Sequence, residues 1–158
     1  MFRISEQFVY VGNFANIPGI HYADPVTGFS HYAKVSNYAY RTMKRLLPGP
    51  YTFILEGSKL VPRMMLTKCK TAGIRVPDHH ICLELTRKLG NPILSTSATL
   101  PDGTIVYDPS FIHEKLNSHI DIVIDGGPVP GSPSSVISLI DDFPEVLRSG
   151  LGDVSSFE

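Results

Sequence analysis

The spacing of apolar residues changes character along this chain. Residues 1–30 show little periodicity: FVYVG (8–12) is compatible with a strand, but Gly12, Pro18, Gly19, Pro25 and Gly28 then break any repeat, which predicts irregular structure. From Ser36 the period becomes helical. Ala39, Met43, Leu46 and Leu47 fall on one face and Arg41, Lys44 and Arg45 on the other, predicting a helix over 36–47 with Ser36 as N-cap and Pro48-Gly49-Pro50 as its stop. YTFIL (51–55) then reads as a strand. Residues 61–68, with Pro62 in the first turn and Met64, Met65 and Leu66 apolar, read as a short helix. Residues 73–76 read as a strand ending at Pro77. The next helix starts from an Asp78 cap, carries a buried stripe of Ile81, Leu85 and Leu89, and stops at Gly90.

Residues 93–95 predict a buried strand, and Asp108-Pro109 the start of a helix with apolar Phe111, Ile112 and Leu116. Three further strands are predicted at 120–124, 134–140 and 146–148. Strands alternate with helices through the middle and follow one another at the end. That order argues an α/β (α+β) fold: an open twisted mixed sheet with helices packed on it. The organisation expected is one domain over 31–158, preceded by an irregular segment over 1–30.

Composition narrows the class. The chain has 158 residues, 42% of them hydrophobic and 18% charged, which suits a globular protein with a sizeable core. No apolar run spans a bilayer, and MFRISEQFVYVG lacks the apolar core and cleavage site of a signal peptide, so no membrane is expected and the location expected is cytoplasmic. Cys69 and Cys82 form no metal-binding pattern, and His21, His31, His79, His80, His113 and His119 show no ligand spacing, so no metal site is expected; His79 and His80 are expected exposed. Neither common nucleotide-phosphate motif is present. Net charge is −1, but unevenly spread: residues 41–88 balance to +7 and residues 89–158 to −8. This suits an anionic partner on one face, unless the fold lays the acidic segment alongside and cancels the field.

Two hydroxyl-rich loops abut strands: Ser95-Thr96-Ser97-Ala98-Thr99 after the strand at 93–95, and Gly131-Ser132-Pro133-Ser134-Ser135 before the strand at 134–140. Each can cradle an oxyanion or satisfy itself as a turn. Arg75, inside a strand-like GIRVP, needs a partner, either an acid such as Asp125 or a bound anion; Arg148 poses the same choice.

These segments also carry a resemblance. LLPGPYTFIL (46–55), KTAGIRVP (70–77), GNPILSTSAT (90–99), DIVIDGG (121–127), SPSSVISL (132–139) and EVLRSGLGD (145–153) resemble the YrdC/YciO family in its order, and DPSFIHEKL (108–116) is similar to its YciO-like branch. The resemblance implies an open α/β sheet around a positively charged cavity. It implies kinship with threonylcarbamoyl-AMP synthases, which join threonine, bicarbonate and ATP with release of pyrophosphate in tRNA modification, and with binding of double-stranded RNA or tRNA. Carried over by motif, Thr52, Arg75, Ser95, Ser97, Ser134, Ser135 and Arg148 line the nucleotide and threonine site. Arg41, Lys44, Arg45, Lys59, Arg63, Lys68 and Lys70 then face RNA.

Two departures bear on activity. The family's Ser-x-Asn is Ser97-Ala98-Thr99 here, and threonine lacks the amide's paired donor and acceptor. Residues 1–30 do not match the opening strand, Pro-Thr-Asp turn and Lys-x-Arg motif of the family, whose cations clamp the transferring phosphate. The expectation is therefore a nucleotide- and RNA-binding relative with synthase activity weak or lost. It has no tightly bound cofactor, and ATP (with Mg) and threonine are its possible substrates. The alternatives are a working synthase with a rearranged clamp, or a non-catalytic remnant whose sheet edge finds a protein partner.

Overall fold

Strands β1 (Val9–Val11), β2 (Tyr51–Glu56), β3 (Thr71–Arg75), β4 (Ile93–Ser95), β5 (Ser135–Ser138) and β6 (Glu145–Arg148) form one open sheet in the order β4-β1-β3-β2-β5-β6. The structure is a computed structural model, and it describes residues 9–11, 27–59, 61, 70–90, 92–100, 102–116, 119–127 and 131–158. The sheet is mixed, as expected: β1 with β3 and β2 with β5 run parallel, while β1–β4, β2–β3 and β5–β6 are antiparallel. The helices are α1 (Asn37–Leu46), α2 (His80–Leu89) and α3 (Pro109–Leu116). The chain forms two compact units, one of Gln7–Ser95 with Pro133–Glu158, which holds the sheet, and one that includes Thr96–Ser132.

Successive strand residues face opposite sides of a sheet. In the central strands this puts Tyr51, Phe53, Leu55, Ala72, Ile74 and Ile137 on one face, where they join Ala39, Met43 and Leu47 in the core. The other face carries Thr52, Ile54, Gly73, Arg75, Val136 and Ser138, with Ser134 in line. The ladder between β5 and β6 shifts register between Val136 and Ile137, so Val146 pairs with Ile137 but Arg148 pairs with Val136. Leu147 is the extra residue of a β-bulge. In an even ladder with Leu147 paired to Val136, Arg148 would stand opposite Ser135, on the core face; the bulge instead puts Arg148 on the polar face with Ser134.

Helix α1 forms as its pattern predicts. Ser36 Oγ accepts the Ala39 N–H at 3.0 Å and donates to the Asp142 carboxylate, which joins the helix start to the turn between β5 and β6. That turn is a short 3-10 segment, Ile140–Asp142, in which Asp141 and Asp142 hold φ of 55° and 62°. Helix α3 starts at the expected Asp108-Pro109. The Asp108 carboxylate accepts the N–H groups of Ser110 and Phe111, satisfying donors the first helical turn leaves open.

Four expectations are corrected. The cap of α2 is His79, not Asp78, and its side chain makes no capping bond. The helix also turns a different stripe inward: Leu85 and Leu89 are 39% and 55% exposed, whereas Thr86 is fully buried and Leu83 packs on the core. Thr86 tolerates burial because its hydroxyl bonds the Cys82 and Leu83 carbonyls, a satisfaction that hydropathy does not register. Strand β4 is half-buried rather than buried because it is an edge of the sheet. Residues 120–124 form no strand, and Ile122 is 78% exposed. A strand persists only in a ladder, and among the described residues this segment has none. The helix expected at 61–68 lies outside the described residues except for Val61, which is buried.

Replacing Ser36 by Ala removes both bonds of the α1 cap and is expected to lower stability by about 1 kcal/mol, read as a lower urea midpoint at unchanged slope. Ser36→Asp keeps a cap acceptor but sets a carboxylate against Asp142, so it is expected to recover none of the loss.

Candidate functional site

One edge of the polar face gathers four of the residues singled out from sequence. Thr52 stands near the start of β2 and Ser134 just before β5. Their hydroxyls lie 2.8 Å apart and are almost fully buried. Arg148, aimed by the bulge, donates from Nε to the Ser134 carbonyl at 3.0 Å and from Nη2 to Ser134 Oγ at 3.4 Å. Arg75 ends β3, next to β2 in the sheet. Its Nε is buried and has no hydrogen-bond partner among the described residues.

Arg75 is under electrostatic stress. Burial, the largest effect, pushes its guanidinium below the usual arginine range; proximity to Arg148 pushes the same way, and Cys82 opposes. An arginine stays protonated through such a shift. What results is a partly desolvated cation with no ion-pair partner among the described residues, and a nearby anion relieves that kind of deficit. Cys82 senses the same charge. Burial raises its thiol above the ordinary range, and Arg75 offsets part of the rise.

The remaining candidates are placed as follows. Ser135 is fully buried on the core face, where its hydroxyl donates to the Gly152 carbonyl at 2.6 Å and accepts the Gly150 N–H at 2.9 Å. Ser95 closes β4 and pairs with Val9. Ser97 lies in the smaller unit, where Thr99 Oγ1 donates to its carbonyl at 3.3 Å. Arg41, Lys44 and Arg45 line the exposed side of α1, with Lys44 over the Tyr40 ring, and Lys59 and Lys70 are exposed. Arg63 and Lys68 lie outside the described residues. His79, expected exposed, is instead half-buried at the cap of α2, and its Nδ1 has no hydrogen-bond partner among the described residues. Among the described residues no cluster of His, Cys, Asp or Glu is suited to a metal, and no helix is long and apolar enough to cross a membrane.

The family model for Sua5/yciO/yrdC, described as telomere recombination, matches residues 18–150. The chain belongs to this family. It is 47% identical over 130 residues to Escherichia coli K12 YciO, a protein labelled uncharacterized, covering 81% of this chain and 63% of that one. The chain thus spans less than two thirds of the length of that curated relative. It is 38% identical over 111 residues to the threonylcarbamoyl-AMP synthase of Bacillus subtilis, covering 68% of this chain and 32% of the synthase. The crystal structure of E. coli YciO superimposes with a TM-score of 0.82 at 41% identity, covering 96% of this chain and 69% of that one. Pyrococcus abyssi Sua5 complexed with L-threonine superimposes with a TM-score of 0.76 at 28% identity, covering 91% and 40%.

Sequence reading of this family member missed the bulge at Leu147, the burial of His79, and the contacts of Ser135 with Gly150 and Gly152. A signal was available for the last: two glycines follow Arg148 at short spacing, a mark of close backbone approach.

The Thr52–Ser134 contact predicts non-additivity. Ser134→Ala alone leaves the Thr52 hydroxyl without this partner and takes an acceptor from Arg148, and Thr52→Val alone leaves Ser134 only its longer contact with Arg148; each is expected to cost about 1–2 kcal/mol, and the double variant less than their sum in urea unfolding. A second expectation concerns Cys82. With its thiol raised, the neutral form is favoured on folding, so its contribution to stability holds at neutral pH and fades as pH climbs past the free-thiol range. Iodoacetamide labelling of the Cys82 peptide in the folded protein is accordingly expected to lag that of a free cysteine, and to catch up only in alkali.

Proposed function

We propose that the larger unit binds an anion, the phosphate of a nucleotide or the carboxylate of threonine, at Arg75 and Arg148. The buried Nε of Arg75, without a hydrogen-bond partner among the described residues, carries this reading. The chemistry suits such a guest: one arginine held by Ser134, one arginine with an open donor, and two small hydroxyls beside them. Kinship with the B. subtilis synthase, and the likeness to a Sua5 complexed with L-threonine, support nucleotide and threonine as the ligand classes. Ser95 completes the larger unit's set proposed from the motifs; Ser97 is proposed from its motif alone, and Ser135 faces the core and is not among the ligand contacts. ATP (with Mg) enters as substrate, no tightly bound cofactor is required, and the location is cytoplasmic. Arg41, Lys44, Arg45, Lys59, Arg63, Lys68 and Lys70 offer charge to double-stranded RNA or tRNA.

Synthase activity is proposed to be weak or absent, because Thr99 stands where synthases carry asparagine. Incubation with threonine, bicarbonate and ATP is expected to release pyrophosphate at a rate that threonine does not raise; threonine-dependent turnover establishes instead a working synthase. Arg75→Ala is expected to weaken nucleotide binding by about 1–3 kcal/mol in calorimetry, and an unchanged affinity in the folded variant removes Arg75 from the site. Affinity for duplex RNA is expected to fall steeply as salt is added; binding that ignores salt defeats the RNA part of the reading.

A further inference from the structure

The residue that holds the site's geometry lies on the wrong side of the sheet to touch a ligand. Ser134 and Ser135 are consecutive and face opposite ways. Ser134 meets the Arg148 side chain on the polar face through its carbonyl and hydroxyl. Ser135, fully buried in the core face, holds the backbone just beyond Arg148: its Oγ accepts the Gly150 N–H and donates to the Gly152 carbonyl. The Leu151 N–H adds a bond to the Pro133 carbonyl at 2.9 Å. Position 150 must be glycine for this approach, because a Cβ there would stand 2.4 Å from the Pro133 oxygen and 2.7 Å from the Ser134 carbonyl carbon. Ser135 is itself fixed, since its N–H donates to the Pro50 carbonyl at 3.0 Å and it pairs with Tyr51 in β2.

We propose that Ser135 is a positioning residue for Arg148: its hydroxyl clamps the chain at Gly150 and Gly152 so that the bulged end of β6 delivers the guanidinium onto Ser134 and toward Arg75. This rests on the anion-binding reading for its functional consequence, but not for its geometry. Arg148 is gripped twice by one dipeptide, by side chain in front and by backbone behind. Loss of the rear grip frees the last residues of a short edge strand, which pairs only with β5 among the described residues.

The test compares wild type, Ser135→Ala and Ser135→Thr, the last retaining the hydroxyl. Two readouts are taken: solvent exchange of the Arg148 Nε–H by nitrogen-15 NMR, and calorimetric binding of inorganic pyrophosphate. Ser135→Ala is expected to speed Arg148 Nε–H exchange at least tenfold, leave the Arg75 Nε–H rate unchanged, and weaken pyrophosphate binding about tenfold; Ser135→Thr restores both. An unchanged Arg148 rate in folded Ser135→Ala overturns the proposal. Should the alanine variant fail to fold, wild-type exchange across a denaturant series decides: Gly150 N–H and Arg148 Nε–H must open together, and Arg148 opening while Gly150 stays protected overturns it. Wild type that binds no pyrophosphate, with Arg148 still loosened by Ser135→Ala, defeats the anion reading and upholds the clamp.

Discussion

The ladder that seats β2 between β3 and β5 is the constraint on which the larger unit depends. It fixes the alternation of three strands at once, and alternation sorts the side chains by chemistry. Phe53, Ile74 and Ile137 are fully buried on the core side, where α1 covers them, while Thr52, Arg75 and Ser134 are turned the other way. Core and candidate site are thus two faces of the same hydrogen bonds. A slip of one residue in these ladders would turn Arg75 in among aliphatic groups or turn Phe53 out, changes opposed by desolvation of a cation in the first case and by lost apolar burial in the second.

Electrostatics on the polar face favour function over stability. Two arginines near one another, one of them short of a partner, cost the folded chain free energy that a hydrophobic pair in the same places would not. The surroundings absorb that cost: Ser134 takes Arg148, the Thr52 hydroxyl takes Ser134, and the core behind them is well filled. Strain held in a restrained frame of this kind is a common mark of a binding site.

Much of this was legible in the sequence, for definite reasons. Helix α1 was readable because local rules agree there: a serine cap, a helical apolar stripe and a proline stop. Strands β2, β3 and β5 were readable from β-branched and aromatic runs, and Arg75 stood out because an arginine in such a run demands an explanation. What escaped the reading is non-local. The inward stripe of α2 rests on Thr86, whose satisfaction comes from its own helix and is invisible to an apolar count. The segment at 120–124 has the composition of a strand but no ladder among the described residues. Ser135 looked equivalent to Ser134 because motif spacing does not tell one face of a sheet from the other.

The bulge at Leu147 carries a consequence for how such chains diverge. Closing the bulge with every residue kept would pair Leu147 with Val136 and Arg148 with Ser135, carrying a cation from one side of the sheet to the other, whereas losing Leu147 would even the ladder and leave the cation opposite Val136. Descendants that straightened the strand while keeping the extra residue would inherit the architecture without the binding chemistry. Among relatives, the pairing register at the end of this strand is therefore a sharper guide to shared behaviour than overall percentage identity.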